Sequence, residues 1–320
     1  MRILGIDIGG TKCSVLTAEY INGTARIIKK KKISTDHLLE PYAMIEKLVV
    51  AADTISEEKP EIIGISCGGP LDSQKGVILS PPNLPRWDNV EIVQRFEEHY
   101  GTTAKLMNDA DACALAEWKF GAGQGCKNLA FLTFGTGLGA GLIIDGKLYS
   151  GTNGNAGEAG HIRLSGFGPS GYGKTGSFEG FCSGGGIAQL GYIKALESIQ
   201  RGENPLYYRP GDNKKSITAE SIARAAVSGD KTAIEVYEMC GGYLGQGLSV
   251  IIDILNPEII VIGSIFSRAE SLLRGPMERV IQKEALGRSS ACCRIVPAAL
   301  GEQIGDYAAV AAAVYEVEQC

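Results

Sequence analysis

Two glycine-bearing turns, each set between apolar runs, constrain this chain more than any other feature. The first reads Ile3-Leu4-Gly5-Ile6-Asp7, then Gly9-Gly10-Thr11-Lys12, then Cys13-Ser14-Val15-Leu16-Thr17. The second reads Leu129-Ala130-Phe131-Leu132-Thr133, then Gly135-Thr136-Gly137, then Ala140-Gly141-Leu142-Ile143-Ile144. Strand, glycine turn and strand make a hairpin. A glycine tip lets backbone N–H groups approach an anion, because no Cβ stands in the way. Either hairpin alone reads equally well as a tight turn that needs positive φ. The pair, with Asp7 ending the first strand, predicts a duplicated fold that holds a polyphosphate between its halves. A carboxylate at such a strand end can hold Mg²⁺, usually through water.

The chain has 320 residues, enough for two domains with good cores. Its hydrophobic fraction of 44% and charged fraction of 21% are those of an ordinary globular protein. A net charge of −5 gives no global pull towards nucleic acid or an anionic membrane. The one basic run, Lys29-Lys30-Lys31-Lys32, follows Ile27-Ile28 and reads as a solvated strand edge that resists sheet-to-sheet pairing. The nine cysteines are odd in number, scattered, and often set in apolar runs. They suit buried free thiols in a reducing cytosol better than a disulfide framework. The first apolar run ends at Asp7, which leaves no signal-peptide core, and no stretch of about 18 apolar residues spans a membrane. The expected setting is cytoplasmic.

Hydrophobic spacing places a strand at Ala25–Ser34, a helix at Pro41–Thr54 and a buried strand at Glu61–Ser66. A helix at Val90–Tyr100, a strand at Ala104–Met107 and a helix at Ala110–Phe120 follow. Beyond the second hairpin, Tyr149–Phe181 is loop-rich. Helices are expected at Gly184–Gln200, Thr218–Val227 and Lys231–Leu255, a strand at Glu258–Ile262 and a last helix at 303–318. Gly241-Gly242 and Gly245 inside the long helix mark where another backbone packs closely. Arg201–Ser216 is a polar, Pro/Gly-rich surface loop of the kind that can form a lid.

Asn108-Asp109 ends a strand and opens a helix, a junction that points side chains into the crevice at the carboxyl ends of a sheet. Asp109 is the candidate general base for phosphoryl transfer, which needs positioning, charge neutralisation and an acceptor for the hydroxyl proton. On the residues alone, a helix cap is the competing role for Asp109. Glu158 and His161 stand three apart in Gly157-Glu158-Ala159-Gly160-His161, which allows both to face one side of a turn, and Glu179 follows a glycine-rich stretch. Acid, amide and imidazole groups together suit a polyol. His37 and His99 sit in polar contexts and receive no function.

With these residues in hand, the chain resembles the ROK family of sugar kinases (repressor, open reading frame, kinase), within the actin/hexokinase/Hsp70-like superfamily. The likeness covers nearly the whole chain. It rests on Asp7-Ile-Gly-Gly-Thr-Lys12, Gly68-Gly69-Pro70, Pro82-Asn83-Leu84-Pro85-x-Trp87, Asn108-Asp109-Ala110-x-Ala112, Gly135-Thr136-Gly137-x-Gly139, Gly157-Glu158-x-Gly160-His161 and Ser183-Gly184. The resemblance implies an α/β fold, a two-lobed ribonuclease H-like (actin-like ATPase) duplication with an interlobe cleft. Its first lobe would be 1–118, with helix 303–318 packed back on it, and its second 119–302. It implies Asp109 as base and Gly69, Asn83, Asn108, Asp109, Glu158, His161 and Glu179 as sugar ligands. Gly9, Gly10, Thr11, Lys12, Thr136, Gly137 and Gly263 would bind ATP, with Asp7 holding Mg²⁺ through water. Gly263-Ser264 falls where the family usually has paired glycines near adenosine.

Many members carry a structural zinc site, C-x-C-G-x-x-G-C-x-E, with the His matching His161 as fourth ligand. Here the frame reads Ser170-Gly-Tyr172-Gly173-Lys-Thr-Gly176-Ser177-Phe-Glu179. Hydroxyls do not replace thiolates, so no zinc is expected. The resemblance therefore implies an ATP- and Mg²⁺-dependent kinase acting on a hexose at O6. Glucose comes first. N-acetylmannosamine, N-acetylglucosamine, mannose, fructose, allose or a β-glucoside are the alternatives. A homodimer is the family's usual form, and neither nucleic acid nor membrane is an expected partner. A sugar-responsive regulator would need a helix-turn-helix ahead of the phosphate hairpin, and only six residues precede Asp7. A sugar-binding protein without catalysis would leave Asp109 and both hairpins unexplained.

Overall fold

Strands β1 (Arg2–Ile8), β2 (Lys12–Ile21) and β3 (Thr24–Ser34) form an antiparallel meander in the computed structural model, which describes residues 1–315 and 317. β4 (Ile62–Cys67) and β7 (Ala104–Asn108) extend it in parallel, so the sheet runs β3-β2-β1-β4-β7. Position in the sheet explains the sequence of each strand. β4, flanked on both sides, is buried throughout and apolar except at Ser66, whereas the edge strand β3 carries the lysine run. Helix α1 (Pro41–Asp53) joins β3 to β4. A two-stranded ribbon of β5 (Leu71–Asp72) and β6 (Val77–Ile78), then α2 (Ile92–Tyr100), lead to β7. α3 (Asp109–Phe120) follows β7 directly. α2 begins two residues later than expected because Val90 pairs with Ile78.

Side chains alternate across a strand, and β1 shows what that does here. Leu4, Ile6 and Ile8 face a core shared with Met44, Ile45, Leu48 and Phe96 of α1 and α2. Ile3, Gly5 and Asp7 point the other way, towards α10 (Ile304–Val314). On that face the strands align Ile3 with Ala18 and Ile62 at one end, and Asp7 with Ser14 and Ser66 at the other. α10 matches this gradient: Val310, Ala313 and Val314 cover the apolar end, and Asp306 lies at the polar end. Gly64 admits the helix, since a Cβ there would stand 2.0 Å from the Ala309 carbonyl oxygen. Positions 316 and 318 of the expected last helix, and Cys320, lie outside the described residues.

Contacts divide the chain into two α/β units. The first holds Met1–Cys126, Gly141–Ala156 and the chain from Ala299 onward. It includes the antiparallel pair of β9 (Ala140–Ile144, from its second residue) and β10 (Lys147–Leu148). The second holds Lys127–Ala140 and Gly157–Ala298. Its parallel strands β8 (Leu129–Leu132), β13 (Ile259–Ile262) and β14 (Arg294–Pro297) run in that order. Its loop-rich start holds a small hairpin, β11 (Ser170–Gly171) and β12 (Lys174–Thr175), and one helical turn, α4 (Phe178–Phe181).

Helices α5 (Gly184–Gln200), α6 (Ala219–Val227), α7 (Lys231–Leu255), α8 (Ile265–Glu284) and α9 (Gly287–Cys292) complete the second unit. α6 starts with a capping box in which Thr218 and Ser221 each bond the other's backbone N–H. Of the glycines expected to meet another backbone, Gly241 and Gly245 do and Gly242 does not. A Cβ on Gly241 would lie 2.8 Å from the Leu273 carbonyl oxygen, and one on Gly245 2.4 Å from that of Met277, both on α8. The 201–216 loop is tied down: Tyr207 Oη donates to the Gly191 carbonyl at 2.8 Å, Leu206 N–H donates to Asp230 at 2.6 Å, and Tyr208 is buried.

One buried carboxylate holds the chain near its first exit from the first unit and its last return to it. Glu117 accepts Ala122 N–H at 2.8 Å, shortly before the exit at Lys127, and Leu300 N–H at 2.9 Å, just after the return. Glu117→Ala leaves two backbone donors without partners and opens a void. It should cost about 2–4 kcal/mol by equilibrium unfolding, and Glu117→Gln, which keeps one acceptor oxygen, should cost less. Equal stability of the alanine variant and the parent would refute this role.

Candidate functional site

The candidate residues fall into two sets, one in each unit. In the first unit, the turn Gly9–Lys12 is closed by Gly9 N–H donating to the Lys12 carbonyl at 3.2 Å. Thr35 latches it from outside: its hydroxyl donates to the Gly9 carbonyl at 2.6 Å and its N–H to the Thr11 carbonyl at 3.0 Å. Sequence reading missed Thr35, a lone threonine at the end of an edge strand with no motif around it. Asn83 packs on the same turn; a Cβ on Gly10 would lie 2.5 Å from the Asn83 Cβ. Glycine at position 10 is therefore required by close approach, and not by the positive φ expected of a tight turn, which neither Gly9 nor Gly10 adopts.

Asn108 settles the competition over the α3 cap. Its Oδ1 accepts Ala110 N–H at 3.0 Å, so Asn108 is the cap and Asp109 the first helical residue. Asp109 thus stands in the first turn, where the helix dipole favours an anion, without being the cap. Gly68 and Gly69 make room for this pair, with a Gly69 Cβ falling 2.9 Å from Asn108 Nδ2 and a Gly68 Cβ 3.7 Å from Asp109 Oδ2. The structure thus brings Gly69, Asn108 and Asp109 together, and Asp109 also acts electrostatically on Asp7.

Asp7 is a strongly perturbed carboxyl. Burial raises it, then the charges of Asp109 and Asp306, against the weaker lowering by Lys30 and Lys12, to about 7. Among the described residues no hydrogen bond reaches its carboxylate. Ser66, its neighbour across β4, keeps a buried hydroxyl with no partner among the described residues. Lys30 departs from the solvated-edge expectation: it is partly buried and pairs with Asp306, while Lys29, Lys31 and Lys32 are exposed.

In the second unit, the glycine turn is closed by three contacts. Thr133 N–H donates to the Gly139 carbonyl at 3.0 Å, Thr133 Oγ1 accepts Gly139 N–H at 2.9 Å, and Gly135 N–H donates to the Gly137 carbonyl at 2.9 Å. Glu179 meets this turn: its Oε2 accepts Leu138 N–H at 3.0 Å and lies 2.8 Å from a Cβ on Gly137. Gly160, just before His161, sits against the Leu138 carbonyl and the Glu179 Cβ. Glu179 is thus a bracket for the Thr136-Gly137 loop, a link that spacing alone could not reveal. Glu158 is exposed at the start of the short turn Ala159–His161, and its carbonyl accepts His161 N–H at 3.1 Å.

Gly263-Ser264 adjoins the same turn. Gly263 N–H donates to the Leu132 carbonyl, Ile265 N–H to that of Phe134, and Gly184 N–H, at the start of α5, to that of Gly135. Ser264 holds φ 52° and ψ −106°, a region in which glycine is at ease and serine is strained. The three positions of the altered zinc frame have other partners. Ser170 Oγ bonds Thr175 Oγ1 at 2.9 Å, Ser177 Oγ caps α4 by accepting Gly180 N–H at 3.0 Å, and Tyr172 lies edge-on to His161 with ring centroids 5.2 Å apart. Lys174 Nζ donates to the His161 carbonyl at 2.6 Å.

The Asp7 carboxyl titrates near 7 when folded and near 4 when unfolded, so its charged form is disfavoured in the fold. The stability it lends is complete below about pH 4 and lost as pH rises through about 7. Asp7→Asn should therefore make the ligand-free protein more stable at pH 8, by a few kcal/mol at most, with little change at pH 4. Urea unfolding at the two pH values checks this, and an asparagine variant weaker than the parent at pH 8 would contradict it.

Comparison with known proteins gives the lineage. The ROK family model matches residues 3–315. The glucokinase of Thermotoga maritima is 30% identical over 286 residues, spanning 88% of this chain and 87% of that protein. The DNA-binding transcriptional dual regulator NagC of Escherichia coli is 31% identical over 255 residues, 79% of this chain and 60% of its own. The crystal structure of a ROK family glucokinase from Streptomyces griseus, in complex with glucose and AMPPNP, superposes with a TM-score of 0.81 at 28% identity, covering 98% of this chain and 100% of that one. The chain belongs to the ROK family.

Proposed function

We propose that this chain is an ATP-dependent hexose kinase that transfers the terminal phosphoryl group of ATP to the 6-hydroxyl of a hexose, glucose first, with Asp109 as general base. The observation that carries the reading is the division of labour at the β7–α3 junction. Asn108 takes the cap, which leaves Asp109 at the helix start, backed by Gly68, as a carboxylate able to accept a hydroxyl proton. Full-length similarity to glucokinases and to a glucose- and AMPPNP-bound relative supports the same chemistry.

In this reading Asn83, Asn108, Gly69, Glu158, His161 and Glu179 bind sugar hydroxyls. The turns Gly9–Lys12 and Thr136-Gly137 lie along the ATP phosphates, with Lys12 adding charge and Gly263 serving the adenosine side. Asp7 would hold Mg²⁺ through water. The surroundings of Asp7 fit a divalent cation, since its carboxylate lacks a hydrogen-bond donor among the described residues and stands in the repulsive field of Asp109 and Asp306. The bound cation would neutralise phosphate charge. Asp109 draws the proton from the sugar hydroxyl and so sharpens the nucleophile. Six buried free cysteines accord with a cytoplasmic setting, and a homodimer completes the proposal.

A coupled ADP-release assay across glucose, mannose, fructose, allose, N-acetylglucosamine, N-acetylmannosamine and cellobiose tests the reading. Silence on the whole panel, with sugar binding intact by calorimetry, would favour a sensor instead. Asp109→Asn should cut kcat by at least about 10² with sugar affinity nearly unchanged. Loss of affinity at unchanged turnover would remove Asp109 from the role of base. We also infer that His161 serves the sugar without zinc, because Ser170, Tyr172 and Ser177 offer hydroxyl oxygens already engaged or exposed. His161→Ala should raise the sugar KM while metal content stays the same, and stoichiometric zinc by elemental analysis would overturn this.

A further inference from the structure

The face of the first sheet that carries Asp7 also carries a buried polar group that the proposed chemistry leaves unused. Ser14 is the cross-strand partner of Asp7, so the two side chains leave the sheet on the same side. A serine so placed could donate to Asp7. It donates instead to Asp306, Oγ to Oδ1 at 3.3 Å. Lys30 pairs across the sheet with Leu16, which faces α10, and reaches the same carboxylate, making an ion pair with Asp306. Asp306 is 3% exposed and Ser14 5% exposed, so the group is shielded from solvent on the Asp306 side.

Asp306 stands in the first turn of α10, where the dipole favours a carboxylate. Its neighbour Gly305 lets that helix start reach Asp7, since a Cβ there would stand 2.7 Å from Asp7 Oδ2. Two groups that could satisfy Asp7, a hydroxyl and an ammonium, are therefore both held by the adjacent carboxylate. We propose that Asp306 is a positioning residue for the cation site: by engaging Ser14 and Lys30 it keeps the Asp7 carboxylate open to Mg²⁺.

The proposal rests on the reading that Asp7 holds the cation. Without Asp306, Lys30 would be a cation in a sparsely solvated place. Asp7 acts on the same network electrostatically and becomes its partner. An Asp7–Lys30 pair would then compete with the divalent ion for one negative charge. Release of Lys30 is what should weaken the ion's hold, so the effect should vanish when Lys30 is also removed.

The test is calorimetry of AMPPNP binding with and without Mn²⁺ on the full chain. The ratio of the two affinities reads the cation's contribution without any turnover. Asp306→Ala should lower that ratio about tenfold, as expected for one competing charge near the site, with glucose affinity unchanged. Adding Lys30→Met should restore it to within about twofold of the parent, which a merely structural role for Asp306 would not do. Asp306→Asn, which keeps the shape and the Ser14 contact, serves if the alanine variant fails to fold, and should lower the ratio in the same direction. A ratio unmoved by either Asp306 variant, or lowered but not restored by Lys30→Met, overturns the proposal. Asp7→Asn separates the layers. If it abolishes the cation's contribution while the Asp306 variants leave it intact, only the positioning role fails. If it has no effect, the Asp7 assignment fails as well.

Discussion

The arrangement of the first unit depends on how α10 is seated on one face of its sheet. Shape and polarity change together along that contact. At one end Ile3, Leu16, Ala18 and Ile62 meet Val310, Ala313 and Val314, where burial of apolar area supplies the stabilisation. At the other end Asp7, Ser14 and Ser66 meet the start of the helix, where dipole and charge dominate. A one-residue slip of either strand would exchange these faces. Placement of Asp7 against Gly305, and of Asp306 against Ser14, is thus a consequence of strand register.

The two glycine turns are held by different means. The first depends on Thr35, which bonds backbone on both sides of the turn. The second is closed by its own backbone and by Thr133, then bracketed by Glu179 through Leu138 N–H. In both, side chains outside the glycines, namely Thr35 in the first and Thr133 and Glu179 in the second, add to the turn's own backbone bonds. Flexible residues become a defined cradle only when neighbours remove their freedom.

Much of this was legible in the sequence. The hairpin residues, the Asn108-Asp109 junction and helices such as α5 and α7 announce themselves through period and punctuation. The glycines of α7 indicate a close neighbour, though not which one. α8 and β14 escaped prediction for identifiable reasons. α8 contains Gly275-Pro276, which reads as a stop, and β14 is an edge strand of only four residues. The latch by Thr35, the bracket by Glu179 and the Lys30–Asp306 pair join residues far apart in the chain. Local pattern carries no information about such pairs, and a lysine run on an edge strand looks the same whether one of its members turns inward or not. Asn108 shows the opposite case, in which a residue expected to bind sugar also caps a helix, so its amide is oriented by the backbone before any ligand contacts it.

The distribution of thiols has a practical consequence. Cys13, Cys67, Cys113, Cys126, Cys182 and Cys240 are buried, and burial raises Cys13, Cys67, Cys113 and Cys182 above the ordinary thiol range, which keeps the reactive thiolate scarce. Cys293 is half-buried and pushed up to about 12. Among the described residues Cys292, at the end of α9, is the exposed thiol. An alkylating dye should therefore mark the second unit at Cys292 and leave the Asp7 and Asp109 neighbourhood chemically silent, so that a label can be attached without touching the residues proposed to bind ligand.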